Sequence, residues 1–197
     1  MSGLTVTQLR MLAEAGAFDA LWPDRRSALW ELLKHARGTA GPLAPAARDR
    51  RPAPVPMLSP AELTEADYHV TGLSPAGHPL RHLRAGLHAQ GVCRAADLPR
   101  HRDGDWVTVG GLVICRQRPQ TAKGFCFVTL EDETGLVNVV IVPKLFEAHR
   151  RLIVRTPLLV VRGVLQEEQG VLNVRARTFA APLPGAGAAH ARSHDFR

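Results

Sequence analysis

Phe125 and Phe127 stand on one parity of the segment FCFVTLED, with Cys126, Val128 and Leu130 on the other. In a strand the two sets face opposite ways. With the aliphatic set in a core, both rings are left outside as plates for nucleic-acid bases, each stack worth about 1–3 kcal/mol. The next apolar run, LVNVVIV, repeats the pattern. Val137, Val139 and Ile141 take the inward parity, and Asn138 offers an amide donor and acceptor to a base edge. Cations surround these residues. Arg116, Arg118 and Lys123 fall in the loop RQRPQTAKG, while Arg175 and Arg177 share one parity of VLNVRARTF. Stacking plates rimmed by phosphate-binding cations are a single-strand binding arrangement. The competing reading is that the two rings pack beneath a neighbouring helix.

No catalytic residue, metal ligand or cofactor is assigned. Glu131, Asp132 and Glu133 are consecutive and point in different directions in a strand-turn, whereas a two-metal site needs carboxylates converging from separate elements. They read as a solvated turn in which Asp132 satisfies backbone donors. His78 and His82 share a helical face but lack a third ligand at a metal-like spacing. Cys93, Cys115 and Cys126 are too scattered for a disulfide framework or a CxxC site.

The elements that must carry these side chains are β-strands. From Trp106 the hydrophobic period shifts from 3.6 to 2. WVTVGGLVIC, FCFVTLED and LVNVVIV are strands, PKLFEAHRRL is a short helix, and PLLVVRGVLQEEQ and VLNVRARTF are two more strands. That order is the one expected of a five-stranded OB barrel, with Gly110-Gly111 where the first strand bends or bulges. Upstream the pattern is helical. Thr5 or Thr7 caps a helix stopped at Gly16, Pro23-Asp24 opens a second ending at Gly38, and Ser59-Pro60-Ala61-Glu62 is a capping box. A further helix runs from Pro79 to Gln90. The predicted class is α+β, with a helix-hairpin-helix-like segment at 1–37, a Pro/Ala/Arg-rich linker at 38–58, a helical connection at 59–104, the OB domain at 105–180 and a flexible tail at 181–197. Taken alone, the first two helices fit either a phosphate-contacting module or an ordinary αα-hairpin.

The chain has 197 residues and a net charge of +7. Its only lysines are Lys34, Lys123 and Lys144, so arginine carries the basic balance. This charge permits a polyanionic partner without demanding one. No apolar run is long enough for a membrane helix, and the N-terminus lacks the zones of a secretory signal. A cytoplasmic protein without a membrane partner is expected.

Several segments together resemble the error-prone branch of the bacterial C-family DNA polymerases. LAEAGAFDAL followed by DRRSALWEL is similar to the helix-hairpin-helix region of that family, and DYHVTGLSPAGHPLRHLR to the connection after it. GLVICRQRPQTAKGFCFVTLEDETGLVNVVIVPKLFE through VVRGVLQEEQGVLNVRAR resembles its OB domain. The chain ends SHDFR where the family usually reads SRDFH. Members of the family are far longer, with their catalytic aspartates upstream of everything seen here, so the resemblance is to a C-terminal portion. It implies template binding for translesion synthesis and DNA repair, and no nucleotidyl transfer by this piece itself. It also implies duplex-backbone contact by Gly16, Ala17 and Phe18 with Arg25 and Arg26 nearby, and single-stranded DNA on the barrel. The implied partners are primer-template DNA, an upstream polymerase chain and damage-response accessory proteins. Two rival readings stand beside it. FVTLED followed by Gly135 and Asn138 resembles the anticodon-binding OB module of class II aminoacyl-tRNA synthetases, and a stand-alone OB adaptor would bury Phe127 at a protein contact.

Overall fold

The computed structural model describes residues 4–22, 24–38, 55–180 and 194–196. They fall into two compact units, Met1–Ala76 and Gly77–Arg197. The expected linker lies outside the described residues over 39–54, as does the expected tail over 181–193.

In the first unit, α1 (Val6–Glu14) starts at a reciprocal cap. The Thr5 hydroxyl accepts from the Gln8 N–H at 3.3 Å, and Gln8 Oε1 accepts from the Thr5 N–H at 2.8 Å. It ends in a Schellman turn. The Gly16 and Ala17 N–H groups donate to the Ala13 and Leu12 carbonyls, and Gly16 sits at φ +81°, which a side chain would strain. The Asp24 carboxylate caps α2 (Arg25–Gly38), accepting from the Arg26 and Ser27 N–H groups. Ser59 caps α3 (Pro60–Thr71), with Pro60 in its first turn and Glu62 bonding back to the Ser59 N–H at 2.8 Å.

That cap has a pH consequence. Hydrogen bonds from the Ser59 backbone and hydroxyl, and then from Arg26, hold the Glu62 carboxyl down at about 2. A depressed folded-state value contributes stability at pH above the ordinary 4.5, which is lost as pH falls from there through 2. An acid titration followed by circular dichroism should show helix loss in that window, and Glu62→Gln should remove this residue's share of the slope. An unchanged slope in the variant would refute the assignment.

The second unit begins with α4 (Leu80–Ala89), where His78 Nδ1 accepts from the Leu80 N–H at 3.2 Å. Burial pushes that imidazole below its ordinary value. A 3₁₀ turn, Ala95–Arg100, leads to the barrel. Its strands are β1 (Trp106–Gln117), β2 (Cys126–Asp132), β3 (Gly135–Ile141), β4 (Leu158–Glu168) and β5 (Val171–Ala180), with α5 (Pro143–Arg155) between β3 and β4. The sheet runs β2-β3-β5-β4-β1 and closes through β1 on β2, the order of the OB barrel expected from the sequence.

Closure depends on β1 changing partners. It pairs with β4 from Trp106 to Leu112 and with β2 from Leu112 to Gln117. Gly111 stands just before the change, where a Cβ would lie 2.8 Å from the Glu131 carbonyl oxygen, so only glycine lets the two backbones approach. The register irregularity itself falls later, between Val113 and Cys115, and not at Gly110-Gly111 as expected. Val113, Leu130, Ile141, Leu159, Leu165 and Val174 fill the interior, each at most 1% exposed. Beyond Leu112, β4 no longer covers the edge of β1. There β6 (His194–Phe196) pairs in parallel with Cys115–Gln117. The end of the expected flexible tail is therefore a strand, because an open ladder edge was there to be satisfied.

Among the described residues no helix is long and apolar enough to cross a membrane.

Candidate nucleic-acid interface

The outer face of β2 and β3 has the expected parity. Cys126, Val128 and Leu130 are buried at 1–2% exposure, while Phe127 is 38% exposed. Asn138 is also exposed, and Phe125, just ahead of β2, is half-buried. Cross-strand register sets these side chains among others. One row across the barrel reads Gln117, Phe127, Val140, Arg175 and Val164, on β1, β2, β3, β5 and β4 in turn. The adjacent row reads Cys115, Thr129, Asn138, Asn173 and Gln166. Neighbouring strands lie about 4.8 Å apart, so Arg175 is about 10 Å across the face from Phe127. That span brings a phosphate within reach of the guanidinium while its base lies on the ring.

Sequence reasoning missed Gln117, Val140, Asn173 and Gln166 on this face. Asn173 was readable, since it shares the parity of Arg175. The row membership was not, because it depends on the parallel pairing of β3 with β5 between segments distant in sequence.

The cations divide. Arg177 is exposed and is the extra residue of a bulge, since Arg162 pairs with Thr178 and Gly163 with Ala176. Lys123 is exposed in the loop before β2, at φ +50°, next to Gly124 at +84°. Arg118 stands over the Phe146 ring at 4.7 Å and pairs with Glu147 at 3.1 Å, with its side chain 41% exposed. Arg116 requires a correction. It lies in β1, not in the loop, and is only 9% exposed. Its Nε donates to the Ile153 carbonyl at 2.8 Å and its Nη2 to that of Thr156 at 3.0 Å. Arg116 thus satisfies the orphan carbonyls at the end of α5 and is not presented to a phosphate.

The acidic turn between β2 and β3 also differs from expectation. Asp132 does satisfy backbone donors, but it is 4% exposed rather than solvated. Its Oδ1 accepts from the N–H groups of Thr134 and Gly135, and its Oδ2 from the Ala95 N–H and from Arg84. Arg84 also pairs with Glu133 at 2.5 Å. These carboxylates fasten α4 and the 3₁₀ turn to the sheet.

In the first unit the hairpin cations are internally engaged. Arg25, whose side chain is 12% exposed, pairs with Asp67 at 2.5 Å and donates to the Glu14 carbonyl at 3.1 Å. Its Nη2 lies 2.7 Å from where a Cβ on Gly16 would be, so the guanidinium covers the hairpin glycine. The implied phosphate contact by Arg25 is corrected accordingly: a buried carboxylate partner holds its guanidinium inside the unit. Arg26 pairs with Glu62 at 2.8 Å yet keeps 37% of its side chain exposed. Ala17 is exposed and Phe18, stacked edge-on against Trp22, is half-buried.

A family model for the OB-fold nucleic acid binding domain, of the tRNA anticodon-binding type, matches residues 107–180. The error-prone DNA polymerase of Anaeromyxobacter sp. (strain K) is 43% identical over 94% of this chain and 16% of its own length. That of Mycobacterium bovis is 40% identical over 98% of the chain and 18% of its own. The chain thus spans less than a fifth of the curated relatives it matches. Among solved structures, asparaginyl-tRNA synthetase from Pyrococcus horikoshii aligns with 40% of this chain and 20% of its own at 21% identity, with a TM-score of 0.34. Residues 107–180 therefore match an OB-fold nucleic acid binding domain, within a chain that over nearly its whole length is similar to a segment of the error-prone DNA polymerases and fits a C-terminal portion of them.

Proposed function

We propose that this chain holds single-stranded template DNA on the outer β2–β3–β5 face of its barrel, as part of an error-prone DNA polymerase acting in translesion synthesis and repair. The observation that carries the reading is the row Gln117, Phe127, Val140, Arg175, with an exposed ring at one position and a cation two strands away. A base stacks on Phe127, the Asn138 amide meets an adjacent base edge, and Arg175, Arg177, Lys123 and Arg118 meet phosphates. Phe125, half-buried, borders this surface. Duplex-backbone contact by the hairpin is proposed in reduced form, through the turn Gly16-Ala17-Phe18 and with Arg26 as the cation drawn from Glu62 to a phosphate. Arg25 is excluded by its buried pair. An upstream polymerase chain and accessory proteins are the proposed partners.

Fluorescence anisotropy of the full chain with labelled single-stranded DNA at two salt concentrations tests the reading. Binding should weaken with salt, and Phe127→Ala should cost about 1 kcal/mol or more. Wild-type affinity in that variant would refute the stacking role. The family model's anticodon-binding type favours a second reading, in which RNA takes the same face. RNA and duplex competitors in the same titration separate the two. Absence of all nucleic-acid binding would favour the adaptor.

A further inference from the structure

A cleft of about 500 Å³ opens on a different part of the barrel wall, between the outer face of β1, β4 and β5 and the segment that leaves α4. Trp106, 58% exposed, lies along one side. The Arg162 guanidinium stands 5.4 Å from the centre of its ring. Thr108, Arg162 and Thr178 form one cross-strand row on the cleft floor, and Gln90 and His101 face it from the other wall. The opposite wall is held in place. The Cys93 N–H donates to the Thr108 carbonyl at 2.8 Å, and Cys93 bridges to Val109.

The composition of this cleft selects a kind of ligand. Among the described residues that line it none carries a carboxylate, whereas Arg162 supplies a fixed positive charge. One flat aromatic surface lies beside that charge, and threonine hydroxyls and a glutamine amide supply donors and acceptors. A volume of this order suits a small ligand rather than an extended protein surface. An anion carrying a flat heterocycle uses all of these features together.

We propose that this cleft is a second nucleotide site, in which one unpaired nucleotide lays its base against Trp106 and its phosphate against Arg162. It uses none of the residues assigned to the β2–β3–β5 face, so the two sites fail separately.

The test uses the full chain with Trp22→Phe and Trp30→Phe, leaving Trp106 as its tryptophan. Titration with AMP should quench the emission saturably. Arg162→Gln should raise the apparent Kd about ten-fold, the scale of one charge-assisted hydrogen bond. Adenosine, lacking the phosphate, should bind the parent chain as weakly as AMP binds that variant. The quench should persist in Phe127→Ala. No saturable quench at millimolar AMP would overturn the proposal, as would a quench indifferent to Arg162→Gln. A quench that vanishes with Phe127→Ala would assign the signal to the other face and overturn it equally. Circular dichroism of each variant confirms that the barrel is folded in every comparison.

Discussion

Asp132→Ala should destabilise the second unit by about 3–5 kcal/mol, the cost of removing one partner from a buried ionic network. The carboxylate is 1% exposed as a side chain and accepts from three backbone N–H groups, the Thr134 hydroxyl and Arg84. Its removal orphans the Ala95 N–H on one side and the turn's N–H groups on the other, each costing about 1–3 kcal/mol where water cannot replace the acceptor. Asp132→Asn separates the two halves. Its Oδ1 can still cap Thr134 and Gly135, but an amide NH₂ cannot accept from Ala95 and faces the Arg84 guanidinium. The asparagine variant should therefore fall between wild type and alanine. Urea unfolding followed by Trp106 emission, in chains that also carry Trp22→Phe and Trp30→Phe, measures this as a shift in midpoint at constant slope. If both variants unfold with the wild type, the turn does not fasten the helical segment to the sheet.

The same residue shows where sequence reading reaches its limit. That Asp132 would satisfy backbone donors followed from its place in a Thr-Gly turn, a local matter. Its burial did not follow, because Arg84 and Ala95 come from elements far back along the chain. The pattern repeats at other positions. The outward placement of Phe127 and Asn138 was legible, since parity within one strand needs no partner. So was the Ser59 cap, which bonds three residues ahead, while the first helix's cap was narrowed to Thr5 or Thr7 and falls on Thr5. Arg116 was misplaced because β1 runs two residues further than its hydrophobic run, and because the irregularity between Val113 and Cys115 reverses the strand's parity and turns the guanidinium toward α5 carbonyls that no local pattern announces. Arg25 likewise meets Asp67 across 42 residues of sequence. Charged residues are the hardest to place from sequence. An aliphatic side chain is satisfied by any apolar interior, but a guanidinium goes wherever a particular acceptor happens to be.

Gly163→Ala should cost about 3 kcal/mol, at the upper end of ordinary overpacking. A Cβ at this position would lie 2.3 Å from the Arg175 carbonyl oxygen and 2.9 Å from Val174 Cγ1. Val174 is fully buried, and the carbonyl belongs to backbone, so neither can swing aside as an exposed side chain would. Relief requires β4 and β5 to separate beside the bulge that sets Arg177 outside the ladder. Arg175 shares its row with Phe127, so the same separation should also displace the cation from the stacking ring. Two readouts should then move together: the urea midpoint, and the salt dependence of single-stranded DNA binding measured below the unfolding transition. The salt slope should shrink by about one phosphate contact as Arg175 loses register. As a control, Arg175→Gln should flatten the slope by the same amount and leave the midpoint near wild type, because that side chain is partly exposed and its loss opens no cavity. A Gly163→Ala chain that keeps its midpoint would show that the strands accommodate the methyl. One that loses stability but keeps the wild-type slope would remove Arg175 from the binding face, and leave the phosphates to Arg118, Lys123 and Arg177.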